Sequence, residues 1–176
     1  MKILINILCL AVCAPLSAYA SLGGDASSIA ADQSKLKGTT SSTLQKKSAA
    51  AASSEEGARA DVAGTGKVPF SVDEFTTAGG VVVREYSAGG QVFGIAWRGP
   101  HMPDLHQLLG NDNYEMAKKS ETVRQQGSAR NAGRRGNSHI ETSGLVIHSS
   151  RRPGLLGGQA YLSAKLPQGV SASDIQ

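Results

Sequence analysis

Two Ala-Gly-Gly triplets, Ala78-Gly79-Gly80 and Ala88-Gly89-Gly90, constrain the fold more than any other feature of this chain. Glycine tolerates the positive φ angles of tight turns, so the strand-like runs at residues 68–75, 81–86 and 91–97 reverse direction at each triplet. A three-stranded antiparallel meander is the expected result. A two-residue loop at Gly89-Gly90 puts Tyr86 opposite Phe93, Arg84 opposite Ile95 and Val82 opposite Trp97, all on one face. A first turn at Ala78-Gly79 adds Phe75 opposite Val82 and sets Asp73 beside Arg84 as an ion pair. Phe70 and Val72 are out of phase with Phe75, which calls for a bulge near Asp73-Glu74 or a cover over part of the second face.

Arg98-Gly99-Pro100 ends the meander, and Met102-Pro103-Asp104 opens a helix whose Leu105, Leu108 and Leu109 form an apolar stripe suited to packing on the sheet. Gly110 and Asn111-Asp112-Asn113 interrupt it before a more polar helical stretch over residues 114–125. Residues 127–137 are rich in glycine and arginine and read as loose chain. Two last strands, at 140–148 and 159–166, flank a loop containing Arg151-Arg152-Pro153-Gly154. The order predicts an α+β domain over residues 68–176. Its antiparallel sheet has about five strands, the meander plus a C-terminal hairpin, with helices packed on one face. Upstream, in a segment spanning 21–37, Ile29, Ala30 and Leu36 recur at helical spacing, and a helix over residues 24–36 is expected to pack on that domain. Residues 38–67, full of Ser, Thr, Ala and charge, read as a low-complexity linker or a frayed helix.

The first 20 residues have the three parts of an export signal: a charge at Lys2, an apolar run at 3–12, and a small-x-small close at Ala18-Tyr19-Ala20. Cleavage between Ala20 and Ser21 is the natural expectation. Asn6 and Pro15 break the apolar stretch, which falls short of the roughly 20 residues that a bilayer-spanning helix needs. A lipid-attachment alternative at Cys13 is disfavoured because Val12 stands where such sites prefer a small residue. Both cysteines, Cys9 and Cys13, fall in the segment to be removed, so the exported product would have no thiol for a disulfide, a metal or nucleophilic catalysis. Losing Lys2 takes the net charge from +4 to +3, a mild basic bias that makes no case for a nucleic-acid protein.

The start Ser21-Leu22-Gly23-Gly24-Asp25-Ala26, the stretch Val83-Arg84-Glu85-Tyr86 and the segment Phe93-Gly94-Ile95-Ala96-Trp97-Arg98-Gly99-Pro100 form a recognisable series. Pro103-Asp104-Leu105 with Leu108-Leu109-Gly110, and Gly158-Gln159-Ala160-Tyr161-Leu162 with Leu166-Pro167, continue it in order. The chain resembles, over nearly all its length after residue 20, an exported proteobacterial family of unknown function, numbered 2844 among such domains. The resemblance implies export and a shared domain, and it brings no catalytic residues with it.

Four histidines, His101, His106, His139 and His148, are the natural candidates for a metal ligand or a general base. His101 and His106 bracket Pro103 and miss the i, i+4 spacing of a helical zinc pair. Strand residues two apart face one side, so His139 and Glu141 can share a cation or a proton. Nothing fixes a third ligand beside them, so the plainer reading is two solvated strand residues, and neither a metal nor a cofactor is expected. Asp104 is a candidate catalytic carboxylate near His106, although a place in the first turn of a helix accounts for it through the helix dipole and free N–H groups alone. No Gly-x-Ser-x-Gly elbow or phosphate loop is present. Arg134 and Arg135, with Arg124, Arg130, Arg151 and Arg152, are candidate anion-binding residues because guanidinium forks suit phosphate. The first four lie in an aromatic-poor stretch whose plainer reading is a solvated loop.

These readings favour an exported, non-catalytic module, periplasmic or secreted and without a membrane anchor after processing, that binds an unidentified envelope protein or surface component. Two alternatives stay open. One is a hydrolase or lyase using His139, Glu141 and Asp104, which requires those groups to converge in one pocket. The other is a polyanion-binding protein acting through the arginine-rich loop.

Overall fold

A computed structural model describes residues 22–47, 68–127 and 136–176. The expected export signal with Ala20 and Ser21, most of the linker, and Arg130, Arg134 and Arg135 lie outside those residues. A short 3-10 turn, Ala26–Ser28, leads into α1 (Ile29–Lys35). Seven strands follow in one sheet: β1 (Thr39–Lys47), β2 (Phe70–Thr76), β3 (Val82–Ala88), β4 (Gln91–Gly99), β5 (Ser138–Thr142), β6 (Leu145–Arg152) and β7 (Leu155–Leu162). Two helices, α2 (Leu105–Leu109) and α3 (Asn111–Gly127), lie between β4 and β5. The sheet order is β1-β2-β3-β4-β7-β6-β5 and every pairing is antiparallel, which makes the fold α+β.

Two strands go beyond the meander and hairpin. Residues 140–148 read as one strand but hold a turn at Ser143 and Gly144, whose φ angles of 44° and 84° reverse the chain between β5 and β6. The segment from residue 38 that reads as a linker or frayed helix opens with β1, which pairs with β2 at the sheet edge. An edge strand is held by main-chain hydrogen bonds to one neighbour, and a polar Thr/Ser run meets that demand without an apolar stripe.

The registers of the meander differ by one residue from the expected ones. The second turn is the two-residue Gly89-Gly90 loop, with Ala88 paired to Gln91. Phe93 is then an extra residue in β4: Ser87 pairs with Val92 and Tyr86 with Gly94, leaving Phe93 without an opposite number. From the bulge onward Val83 faces Trp97 and Glu85 faces Ile95. The first turn spans residues 77–81, closed by the Thr77 N–H donating to Val81 at 2.8 Å, and this pairs Phe75 with Val83 and Glu74 with Arg84. The ion pair of Arg84 is accordingly with Glu74, at 2.6 Å, and not with Asp73.

These shifts divide the expected aromatic face between two cores. On one side of the sheet Phe75, Val83, Ile95, Trp97 and Ile147 meet Ile29 of α1, Leu108 and Leu109 of α2 and Ala117 of α3. On the other side Phe70, Val72, Tyr86, Phe93 and Ala96 are covered by Val170 and Ile175 of the C-terminal segment. The phase of Phe70 and Val72 therefore reflects a cover on the second face. Phe93 meets Phe70 edge-on, with ring centroids 5.9 Å apart. The Tyr86 hydroxyl donates to the Gln176 main-chain oxygen at 2.7 Å and accepts from the Gln176 N–H at 3.0 Å. Arg84 donates to the same oxygen at 2.7 Å, so three hydrogen bonds hold the segment against β3.

Close approach, not turn geometry, explains Gly158. A Cβ there would lie 2.4 Å from the Trp97 ring and 2.6 Å from the His148 carbonyl oxygen. Gly158→Ala is expected to destabilise the chain by about 1–3 kcal/mol through overpacking, read as an earlier denaturant midpoint of Trp97 fluorescence. An unchanged midpoint would contradict this packing.

Candidate functional site

Two clusters of polar side chains stand out, one closed and one open. The closed cluster consists of carboxyls. Alternation along β3 sets Glu85 beside Val83 on the helix-covered face, directly opposite Asp73 of β2, while α1 lowers Asp32 onto the same side. Asp32 and Glu85 are each 1% exposed. The Gln107 amide donates to Asp32, whereas neither oxygen of Glu85 has a hydrogen-bond partner. Burial raises the Asp32 carboxyl to about 7, against which the Gln107 bond and Lys35 act in part. Burial pushes Glu85 well above the carboxylate range, and the nearby Asp32 and Asp73 charges push it further. Burial favours the uncharged form of each carboxyl, because an unpaired buried charge is costly. No pattern in the sequence marks Glu85: alternation places it on the face opposite Tyr86, and its burial follows only from the helices that cover that face.

The sign of the resulting pH dependence follows from the raised value. Asp32 in the folded state holds its proton up to about 7, against 3.8 ordinarily, so its contribution is complete at acid pH and is lost as pH rises through 7. Asp32→Asn keeps an acceptor for Gln107 and removes the ionisation. Its denaturant midpoint at pH 8 is expected to exceed that of the unsubstituted chain, with the advantage shrinking by up to roughly 1.4 kcal/mol per pH unit towards pH 5. An advantage that is the same at both pH values would show that Asp32 does not titrate this way.

The open cluster lies on the second face of the sheet, beyond the C-terminal segment. Antiparallel pairing sets His139 of β5 directly opposite His148 of β6. Their Nδ1 atoms are 3.1 Å apart, and the rings tilt by 33° with centroids at 4.3 Å. His148 in turn stacks on Tyr161 of β7, at 6.4 Å and 22°. Glu141, two residues along the strand, brings its Oε2 to 3.6 Å from His139 Nε2, an ion-pair distance longer than a hydrogen bond. The His139 and Glu141 side chains are 49% and 70% exposed, so both are open to solvent.

These histidines line a groove of about 570 Å³ whose walls include Arg98 of β4, Arg152 of β6, Gln159 of β7 and Asn137. The groove has a bare floor because Gly157 sits between Arg98 and Ser150 in the paired strands and has no side chain to fill the space. Gln176 forms part of one wall. Among the described residues no lining side chain is acidic, so two guanidinium groups face the groove without a side-chain carboxylate beside them.

The candidates named from sequence are distributed between these surroundings. His139 and Glu141 come together, and His148 joins them across the strand pair, a partnership that requires the turn at Ser143-Gly144. Asp104 caps α2, accepting from the Gln107 N–H at 3.2 Å, and α2 packs on the opposite face of the sheet. His106 contacts Asn111 and Tyr114 on that helical side. Arg151 and Arg152 flank the β6–β7 turn, and only Arg152 lines the groove. Arg134 and Arg135 are outside the described residues. Among the described residues no three His, Cys, Asp or Glu side chains converge to hold a metal ion, and no helix is long and apolar enough to cross a membrane.

The family described as "Protein of unknown function (DUF2844)" matches residues 18–175, which takes in the sheet, the helices, the covering segment and both polar clusters. No curated protein and no solved structure matches the chain. With nearly its whole length matched, the chain belongs to the DUF2844 family of proteins of unknown function.

Proposed function

We propose that the protein is an exported binding module whose ligand, a surface or envelope component, presents a carboxylate, phosphate or sulfate to the groove on the second face of the sheet. The observation that carries this reading is the composition of the groove: Arg98, Arg152, His139 and His148 line it, and among the described residues no acidic side chain does. Arginine forks match such oxyanions in shape, and a half-open recess lets them do so near solvent. Gly157 supports the same reading, since a bare floor admits a ligand to the strand backbone. The buried carboxyls do not line the groove, and their closure favours a structural role for them. Binding is favoured over catalysis because Asp104, the carboxylate that the catalytic reading needs beside His139 and Glu141, caps a helix on the other face.

Titration of the isotope-labelled chain with inorganic phosphate and with a short uronic-acid oligomer, in the presence of EDTA and followed by NMR, tests the groove. Resonances of Gly157, Gln159 and the histidines are expected to shift, with affinity falling as salt rises and at least a tenfold loss in the Arg98→Gln/Arg152→Gln variant. Equal affinity after removal of both arginines would sink the reading. Export is tested separately by fractionating cells that express the full chain. The expected product is outside the cytoplasm and begins at Ser21; an uncleaved chain confined to the cytoplasm would exclude export.

A further inference from the structure

We propose that His139 and His148 form a chelating pair for a late first-row divalent ion such as Zn²⁺, Ni²⁺ or Cu²⁺, with Glu141 as the positioning residue of His139. The inference rests on the geometry of the pair and not on the charge of the groove. Two Nδ1 atoms 3.1 Å apart, each about 2.1 Å from a common ion, subtend roughly 95° at the metal. That angle lies between the right angle of octahedral or square-planar coordination and the tetrahedral angle. Nitrogen pairs held much further apart cannot share one ion.

The surroundings supply what a chelating pair needs. Each histidine is fixed on a paired strand, so the spacing is set by the β5–β6 ladder. His148 is braced by the Tyr161 ring, and the exposed His139 ring can turn about its Cβ–Cγ bond to aim its lone pair. Chelation requires both rings to carry hydrogen on Nε2. The Glu141 carboxylate faces Nε2 of His139 and favours that tautomer, the arrangement by which carboxylates orient metal-binding histidines. Two protein ligands leave the remaining positions to water or to an anionic group in the groove. The sequence offers only His139 and Glu141 at strand spacing. His148 becomes their neighbour through the hairpin.

The test is calorimetric titration of the untagged full chain, with Cys9 and Cys13 alkylated, with Zn²⁺ and Ni²⁺ in a non-coordinating buffer free of phosphate. One ion per chain is expected to bind at sub-millimolar concentration. Binding should disappear in His139→Ala and in His148→Ala, persist in His106→Ala, and weaken by about tenfold in Glu141→Gln. Retained Trp97 fluorescence and circular dichroism confirm that the variants fold. Absence of saturable binding, or a site that survives loss of either histidine, overturns the proposal. These titrations contain no anionic ligand and the phosphate titrations contain no metal, so each reading can fail without the other.

Discussion

The structure depends on β4 being buried on both sides. Six consecutive residues, Val92, Phe93, Gly94, Ile95, Ala96 and Trp97, are withdrawn from solvent, which an antiparallel strand achieves only when each face of its sheet has a cover. The helices supply one cover and the C-terminal segment the other. Each buried Phe, Ile or Val contributes about 1.5–3 kcal/mol by leaving water, so losing either cover would expose a core and not merely a surface. Gly94 shows how tightly the second cover fits: a Cβ there would stand 2.8 Å from the Ile175 side chain.

The inserted Phe93 determines which side chains belong to which core. Without it Tyr86, Phe93 and Trp97 would share a face. With it Tyr86 and Phe93 join Phe70 under the C-terminal segment, while Trp97 joins Phe75 under the helices. Glu85 lies on the face of β3 that the helices cover, where its proximity to Asp32 and Asp73 makes ionisation costly. A polar side chain is thus enclosed as the geometric consequence of a cover on both faces of the sheet.

Glycine turns and apolar alternation made the meander, the α2 stripe and the final strands legible in the sequence, because these signals are local. Asp25, one residue ahead of the 3-10 turn, and Asp104, ahead of α2, likewise cap the elements they precede. What was not legible required partners far along the chain. The bulge at Phe93 has no residue signature, since phenylalanine fits either phase of a strand, and the strand β1 gives no apolar pattern because an edge can be polar on both faces. The open cluster was half legible. His139 and Glu141 are visible at strand spacing, whereas His148, Arg98 and Arg152 reach them only through the order β4-β7-β6-β5.

Contacts from opposite ends of the described chain meet on β4. The Gly23 N–H bonds to the Val92 carbonyl at 2.7 Å, and the Ile175 side chain presses against Gly94, two residues further along the strand. Closing both contacts brings together segments separated by most of the polypeptide, and chain entropy opposes each closure before any burial offsets it. A nascent chain emerging from its first residue would hold a meander with one face uncovered until its last stretch arrived. The second core is accordingly the last part of the sheet that chain order allows to close.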